Sequence, residues 1–207
     1  MNKIESSKQT ERPSLALTVP VDELSNSIEV VILQHPQEPD KVLGSAPLCV
    51  RSLKQAQLKV GLSWSSLSKA VGRETIPFEW AVLYLGGSDK TKEHTKEVNV
   101  LSKKLGTLTM EERKAIRGII AIDGTWSQAK TLWWRNAWFL KLKRIVLKPK
   151  QKSLYGNLRK EPRGECLSTI ESIALCLKEL ENSPAIGEEL EKNFAKMLNE
   201  FRASKKP

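Results

Sequence analysis

Gly118-Ile119-Ile120-Ala121-Ile122-Asp123-Gly124-Thr125-Trp126-Ser127-Gln128-Ala129-Lys130 is the stretch that decides the fold. Residues 118–122 form a short apolar run rich in β-branched side chains, the pattern of a strand buried on both faces. Thr125-x-x-Gln128 then matches a capping box, so the chain reads as a strand that turns directly into a helix. In open α/β sheets ligands collect at the carboxyl ends of strands, and a helix N-terminus there offers backbone N–H groups to an anion. Asp123 is therefore a candidate functional group. It is equally a candidate cap and Trp126 a candidate core residue, and spacing alone favours these structural roles.

Outward from this point, residues 29–33 and 80–85 have the same length and apolar, β-branched content, and 144–147 reads as a fourth strand. Leu48, Leu53 and Leu58 fall loosely on one side of a helix over 47–58, and the polar stretch 90–117 reads as helical in two pieces around Gly106. Ser168-Thr169-Ile170-Glu171 is an S-x-x-E capping box followed by Ile173, Ala174, Leu177 and Leu180 at helical spacing. Ser183-Pro184 opens a last helix with Leu190, Phe194, Met197, Leu198 and Phe201 as its apolar stripe. Alternating strands and helices predict an α/β domain with a largely parallel sheet flanked by helices, because parallel neighbours need long crossovers. Residues 1–26, rich in Ser, Lys and Glu, read as a flexible tail, and 27–207 as one domain.

With 207 residues, 40% of them apolar, the chain can bury one sizeable core. Its formal net charge of +10 favours a polyanionic partner, and the distribution narrows the choice. Lys130, Arg135, Lys141, Lys143, Arg144, Lys148, Lys150, Lys152, Arg159 and Lys160 lie between Gly124 and Lys160 with no Asp or Glu among them. These ten cations equal the whole excess, so the positive field is local. Trp126, Trp133, Trp134 and Trp138 share the segment. A solvated face with core tryptophans would explain it, but RNA contact is the preferred reading, through phosphates neutralised by cations and bases stacked on aromatics. Cys49, Cys166 and Cys176 have no paired spacing, which argues against a zinc ribbon or a disulfide framework. Nor does any apolar run approach the ~20 residues that span a bilayer. A reducing cytoplasm fits best.

Asp123-Gly124-Thr125-Trp126, then Tyr155 to Pro162 (YGNLRKEP), then Leu167-Ser168-Thr169-Ile170-Glu171, resemble the D-x-T-W, Y-x-x-R-K-x-P and L-S-T-x-E series of the DTW-domain family. Leu33-Gln34-His35-Pro36-Gln37-Glu38 is similar to that family's L-Q-H-P-x-E string, and Val82-Leu83-Tyr84 falls where the family has L-Y-P. Order and gaps both match, over roughly residues 29–180. Leu85 replaces the proline, with Gly86 and Gly87 following, and the four-cysteine zinc module of many relatives is absent from the sequence. By itself His35 before a proline reads as a structural side chain, Glu38 as a partner for a nearby cation, and Glu171 as the helix anchor.

The resemblance implies a SPOUT-like, knotted domain that transfers the 3-amino-3-carboxypropyl group of S-adenosylmethionine to uridine in tRNA. It assigns catalysis to Asp123, as base or as positioning group, and cofactor contacts to Leu85, Gly86, Trp126, Leu167, Ser168 and Thr169. The charge run assigns RNA contacts to Lys130, Arg135, Lys141, Lys143, Arg144, Arg159 and Lys160, and no metal is expected. A SPOUT-type RNA methyltransferase and a non-catalytic RNA-binding module are the alternatives. The target nucleotide and the oligomeric state are left open.

Overall fold

The computed structural model describes residues 15–39, 41–83, 96–102, 106, 108–158 and 167–205. Its centre is one six-stranded sheet in the order β2-β1-β5-β3-β6-β4. The strands are β1 (Glu29–Gln34), β2 (Ala56–Val60), β3 (Trp80–Leu83), β4 (Val98–Leu101), β5 (Gly118–Asp123) and β6 (Lys143–Leu147). All neighbours are parallel except β4, which runs antiparallel to β6 on the outer edge. The largely parallel α/β architecture expected from the sequence is thus present. Its four anticipated strands are the interior ones: every residue of β5 and β3 is buried, as is all of β1 after Glu29. A central parallel strand is covered on both faces, which is why it reads as an unbroken apolar run.

Helices cover both faces. On one side α1 (Leu15–Thr18), α2 (Ser45–Ser52), α6 (Thr169–Leu180) and α7 (Pro184–Ala203) bury a core that includes Val30, Ile32, Leu48, Ile119, Ile173, Leu190 and Phe194. On the other, α3 (Leu67–Val71), α5 (Trp126–Arg135) and the 3-10 turn Ala137–Lys141 cover Val31, Leu33, Val82, Ile120 and Ile122. The short α4 (Met110–Lys114) starts from a capping box between Thr109 and Glu112. Consecutive strand residues point to opposite faces, so both cores draw on the same strands in alternation. No described helix is long and apolar enough to cross a membrane.

Three expectations need correction. The helix anticipated over 47–58 ends at Ser52, and Leu58 belongs to β2. β2 is an edge strand with partly exposed side chains, so it lacks the apolar run that marks an interior strand. In place of the first helical piece of 90–117 stands β4, where Val98 and Val100 enter the core beside β6. Four residues inside a polar stretch are too few to declare a period. Packing also begins ahead of residue 27: Ala16 and Val19 are fully buried, and the Arg51 guanidinium donates to their carbonyls at 2.8 and 3.1 Å. The extension of β3 to Leu85 and the remaining parts of 90–117 fall partly outside the described residues.

Gly118 faces Trp80 in register across β5 and β3. A Cβ placed there would lie 2.5 Å from the indole ring, so glycine is required by close approach. Gly118→Ala is expected to destabilise the protein by about 1–3 kcal/mol through overpacking, read as a lower urea midpoint. An unchanged midpoint would show that Trp80 can move aside at no cost.

Candidate active site

β1 and β5 are neighbours, but the chain leaves them in opposite directions. From β1 it passes through α2 on one face to β2, and from β5 it passes through α5 on the other face to β6. Diverging connections mark a topological switch point at the carboxyl ends of the two strands, the place where α/β sheets bind ligands. Gln34 and Asp123 are the last residues of those strands and stand in register. The Gln34 amide donates to Asp123 Oδ2 at 2.8 Å, and the Thr169 hydroxyl, in the first turn of α6, donates to Oδ1 at 2.5 Å. Both carboxylate oxygens are thereby held in a group only 8% exposed. This arrangement joins β1, β5 and α6, the elements that carry three of the sequence strings.

A carboxylate only accepts, so the contact fixes the orientation of the Gln34 amide with its NH2 toward Asp123. The amide oxygen then points elsewhere. Gln34 Oε1 is buried without a hydrogen-bond partner. A buried acceptor left unmatched costs about 1–3 kcal/mol, which a donor on a bound molecule would recover. Sequence reasoning missed Gln34 as a site residue. The available signal was a polar side chain closing an otherwise apolar strand.

The loops around this pair are tied down by caps. Thr125 and Gln128 form the reciprocal box at the start of α5, and Gln128 also donates to Gln37 at 3.2 Å. Gly124 packs tightly under that helix, since a Cβ would lie 3.0 Å from the Gln128 Cβ. The backbone N–H of His35 donates to the Asp123 carbonyl at 3.0 Å, and Glu38 pairs with Lys41 at 2.6 Å. Ser168 and Glu171 form the box of α6, but Glu171 does more than cap. Its carboxylate, 4% exposed, also accepts from the Ser153 hydroxyl and the Leu154 N–H, both at 2.7 Å. Next to these, Tyr155 is buried, donates to the Leu43 carbonyl at 2.6 Å and packs edge-on against Phe194. Two helices of ten and twelve residues thus begin beside Asp123, and the positive ends of their dipoles favour negative charge there.

Of the expected cofactor contacts, Thr169 touches Asp123, Ser168 is the buried cap beside it, and Leu167 precedes them, half-buried. Trp126 opens α5, 37% exposed, with the Lys130 ammonium 5.7 Å from its ring centroid. Leu85 and Gly86 lie outside the described residues, as do Arg159 and Lys160. The remaining RNA candidates differ in exposure and in the partners they hold. Lys130 and Arg135 are exposed on α5, and Lys141 is exposed at the end of the 3-10 turn. Lys143 and Arg144 open β6 instead, toward the amino ends of the strands and away from Asp123. The Lys143 ammonium donates to the Phe78 carbonyl. Burial holds its pKa below the ordinary lysine value against the opposing pull of Glu112 and Glu79. An ammonium committed to protein groups is a poor phosphate ligand.

Cys49 and Cys176 are free and fully buried, and burial pushes both thiols well above their ordinary pKa, with the Asp123 charge adding to the effect at Cys49. They remain protonated and unreactive. Among the described residues no three His, Cys, Asp or Glu side chains gather as a metal site would require.

The model of the DTW domain matches residues 12–202. A macaque (Macaca fascicularis) tRNA-uridine aminocarboxypropyltransferase 2 is 31% identical over 186 residues, covering 83% of this chain and 54% of the relative. The mouse (Mus musculus) protein of that name is 33% identical over 175 residues with the same coverage. An Arabidopsis thaliana tRNA-uridine aminocarboxypropyltransferase A is 26% identical over 211 residues, covering 90% of this chain and 74% of the relative. The chain spans about half the length of the two mammalian proteins. No solved structure matches.

Proposed function

This chain belongs to the DTW-domain family, and we propose that it transfers the 3-amino-3-carboxypropyl group of S-adenosylmethionine to a uridine of tRNA, releasing methylthioadenosine. The observation that carries the reading is the Asp123 carboxylate, held by Gln34 and Thr169 at the carboxyl ends of β1 and β5. The names of the relatives support the reaction and its RNA substrate.

The residues present suit the amino-acid end of such a cofactor. The unmatched Gln34 Oε1 is an acceptor awaiting a donor such as an ammonium, and the first turns of α5 and α6 suit a carboxylate. Bound there, the cofactor would supply a sulfonium leaving group and an electrophilic γ-methylene. The chain's own contribution is alignment, since the methyl group is attached to the same sulfur and position decides which carbon meets the nucleophile. Uracil attacks through the ring nitrogen between its two carbonyls and must give up the proton there. A carboxylate oxygen is an acceptor for that N–H, and Asp123 is the group we assign to receive it and to orient the ring. Thr169 and Gln34 keep its plane constant during the reaction.

The test is nucleoside mass spectrometry of total tRNA from cells with and without the gene. Loss of 3-(3-amino-3-carboxypropyl)uridine on deletion, restored by the wild-type chain and not by Asp123→Asn, is the expected result. An unchanged nucleoside profile would refute the assignment.

A further inference from the structure

Trp134 is 80% exposed, the most exposed large apolar side chain among the described residues. It stands on the outer side of α5, whose Ala129 and Leu132 are buried on the inner side. Trp126, Lys130 and Trp134 follow one another at i, i+4 and i+8, so they occupy successive turns of one solvent-facing stripe. At 1.5 Å per residue the stripe is about 12 Å long. It begins at Trp126, three residues after Asp123, and therefore runs outward from the candidate active site. Arg135 adds a second exposed cation at its far end, and the sequence contains no Asp or Glu from Gly124 to Lys160.

We propose that this aromatic-cation-aromatic row is a track for an unpaired segment of RNA, with a loop base stacked on the Trp134 indole and phosphates neutralised by Lys130 and Arg135. It rests on the tRNA reading and adds the surface of this chain that would hold an unpaired segment of that substrate. Bases within a duplex are already stacked on one another and cannot be offered to an indole, whereas every unpaired base has a free π-face. Charge complementarity selects a polyanion over a second apolar protein surface, because the tryptophans are interleaved with cations. At about 12 Å from Trp126, the base held by Trp134 lies roughly two to four nucleotides along the strand from the reacting uridine.

Fluorescence anisotropy with two RNAs tests this: a hairpin with an unpaired, uridine-containing loop, and a blunt duplex of equal length. Wild-type protein should prefer the hairpin. Trp134→Ala should lose roughly 5- to 150-fold in hairpin affinity and little in duplex affinity, while Trp134→Phe keeps most of the preference. Because a neutral indole releases no counterions, Trp134→Ala should leave the slope of log affinity against log salt unchanged. Lys130→Glu with Arg135→Glu should flatten it by ~0.7 for each phosphate that is no longer neutralised. Equal hairpin affinity in Trp134→Ala would overturn the proposal. So would a wild-type dimer that Trp134→Ala converts to a monomer in sedimentation, since the indole would then belong to a protein interface. A wild-type chain that binds neither RNA would remove the tRNA reading itself.

Discussion

Asp123→Asn is expected to lower the rate of uridine modification by roughly 10²–10⁴-fold while the protein stays folded, as judged by circular dichroism and an unchanged urea midpoint. Asparagine is the informative replacement because it removes the charge and can keep both hydrogen bonds. Its carbonyl oxygen can accept from the Gln34 amide, and its NH2 can donate to the Thr169 hydroxyl, which turns to accept. Asp123→Ala instead strands the Gln34 NH2 in a buried position and confounds catalysis with a stability cost of about 1–3 kcal/mol. If the carboxylate were only a cap or a packing group, Asp123→Asn would turn over like wild type.

Glu171→Ala should give the largest loss of stability among single changes near the site, about 3–5 kcal/mol by urea unfolding, because the Ser168 N–H, the Leu154 N–H and the Ser153 hydroxyl are all left without their acceptor. That is a large share of the ~5–15 kcal/mol that holds a typical domain together. Glu171→Gln retains one acceptor oxygen and should cost less than half as much. A loss near 1 kcal/mol in Glu171→Ala, about the value of a helix cap alone, would mean that the 153–155 loop is held by other contacts.

Asp123 and Glu171 differ in how much of their surroundings was legible in the sequence. The capping boxes of α5 and α6 could be read directly, because a cap is local: four consecutive residues contain both partners. The interior strands were legible because burial on two faces leaves no polar position to interrupt the run. Edge strands β2 and β4 were not, one partly exposed and the other only four residues long. The additional partners of Glu171 lie 17 and 18 residues earlier in the chain, and no period connects them. In the same way, Gln34 and Asp123 are 89 residues apart and meet only because β1 and β5 pair in register. A linear run of ten cations carried no information about direction. β6 takes Lys143 and Arg144 into the sheet, half-buried, while α5 keeps Lys130 and Arg135 in solvent. The family strings pointed to Asp123 and Thr169 as candidates, and the geometry adds that they touch.

The identity of the transferred group separates the proposed chemistry from methylation, and a single labelling experiment decides between them. Purified protein is incubated with unmodified tRNA and S-adenosylmethionine labelled in the carboxyl carbon, and the RNA is separated from small molecules. Aminocarboxypropyl transfer carries that carbon into RNA and releases unlabelled methylthioadenosine, which is the expected outcome. Label left wholly in the small-molecule fraction as S-adenosylhomocysteine, with methylated RNA, would refute it and establish a methyltransferase on the same fold.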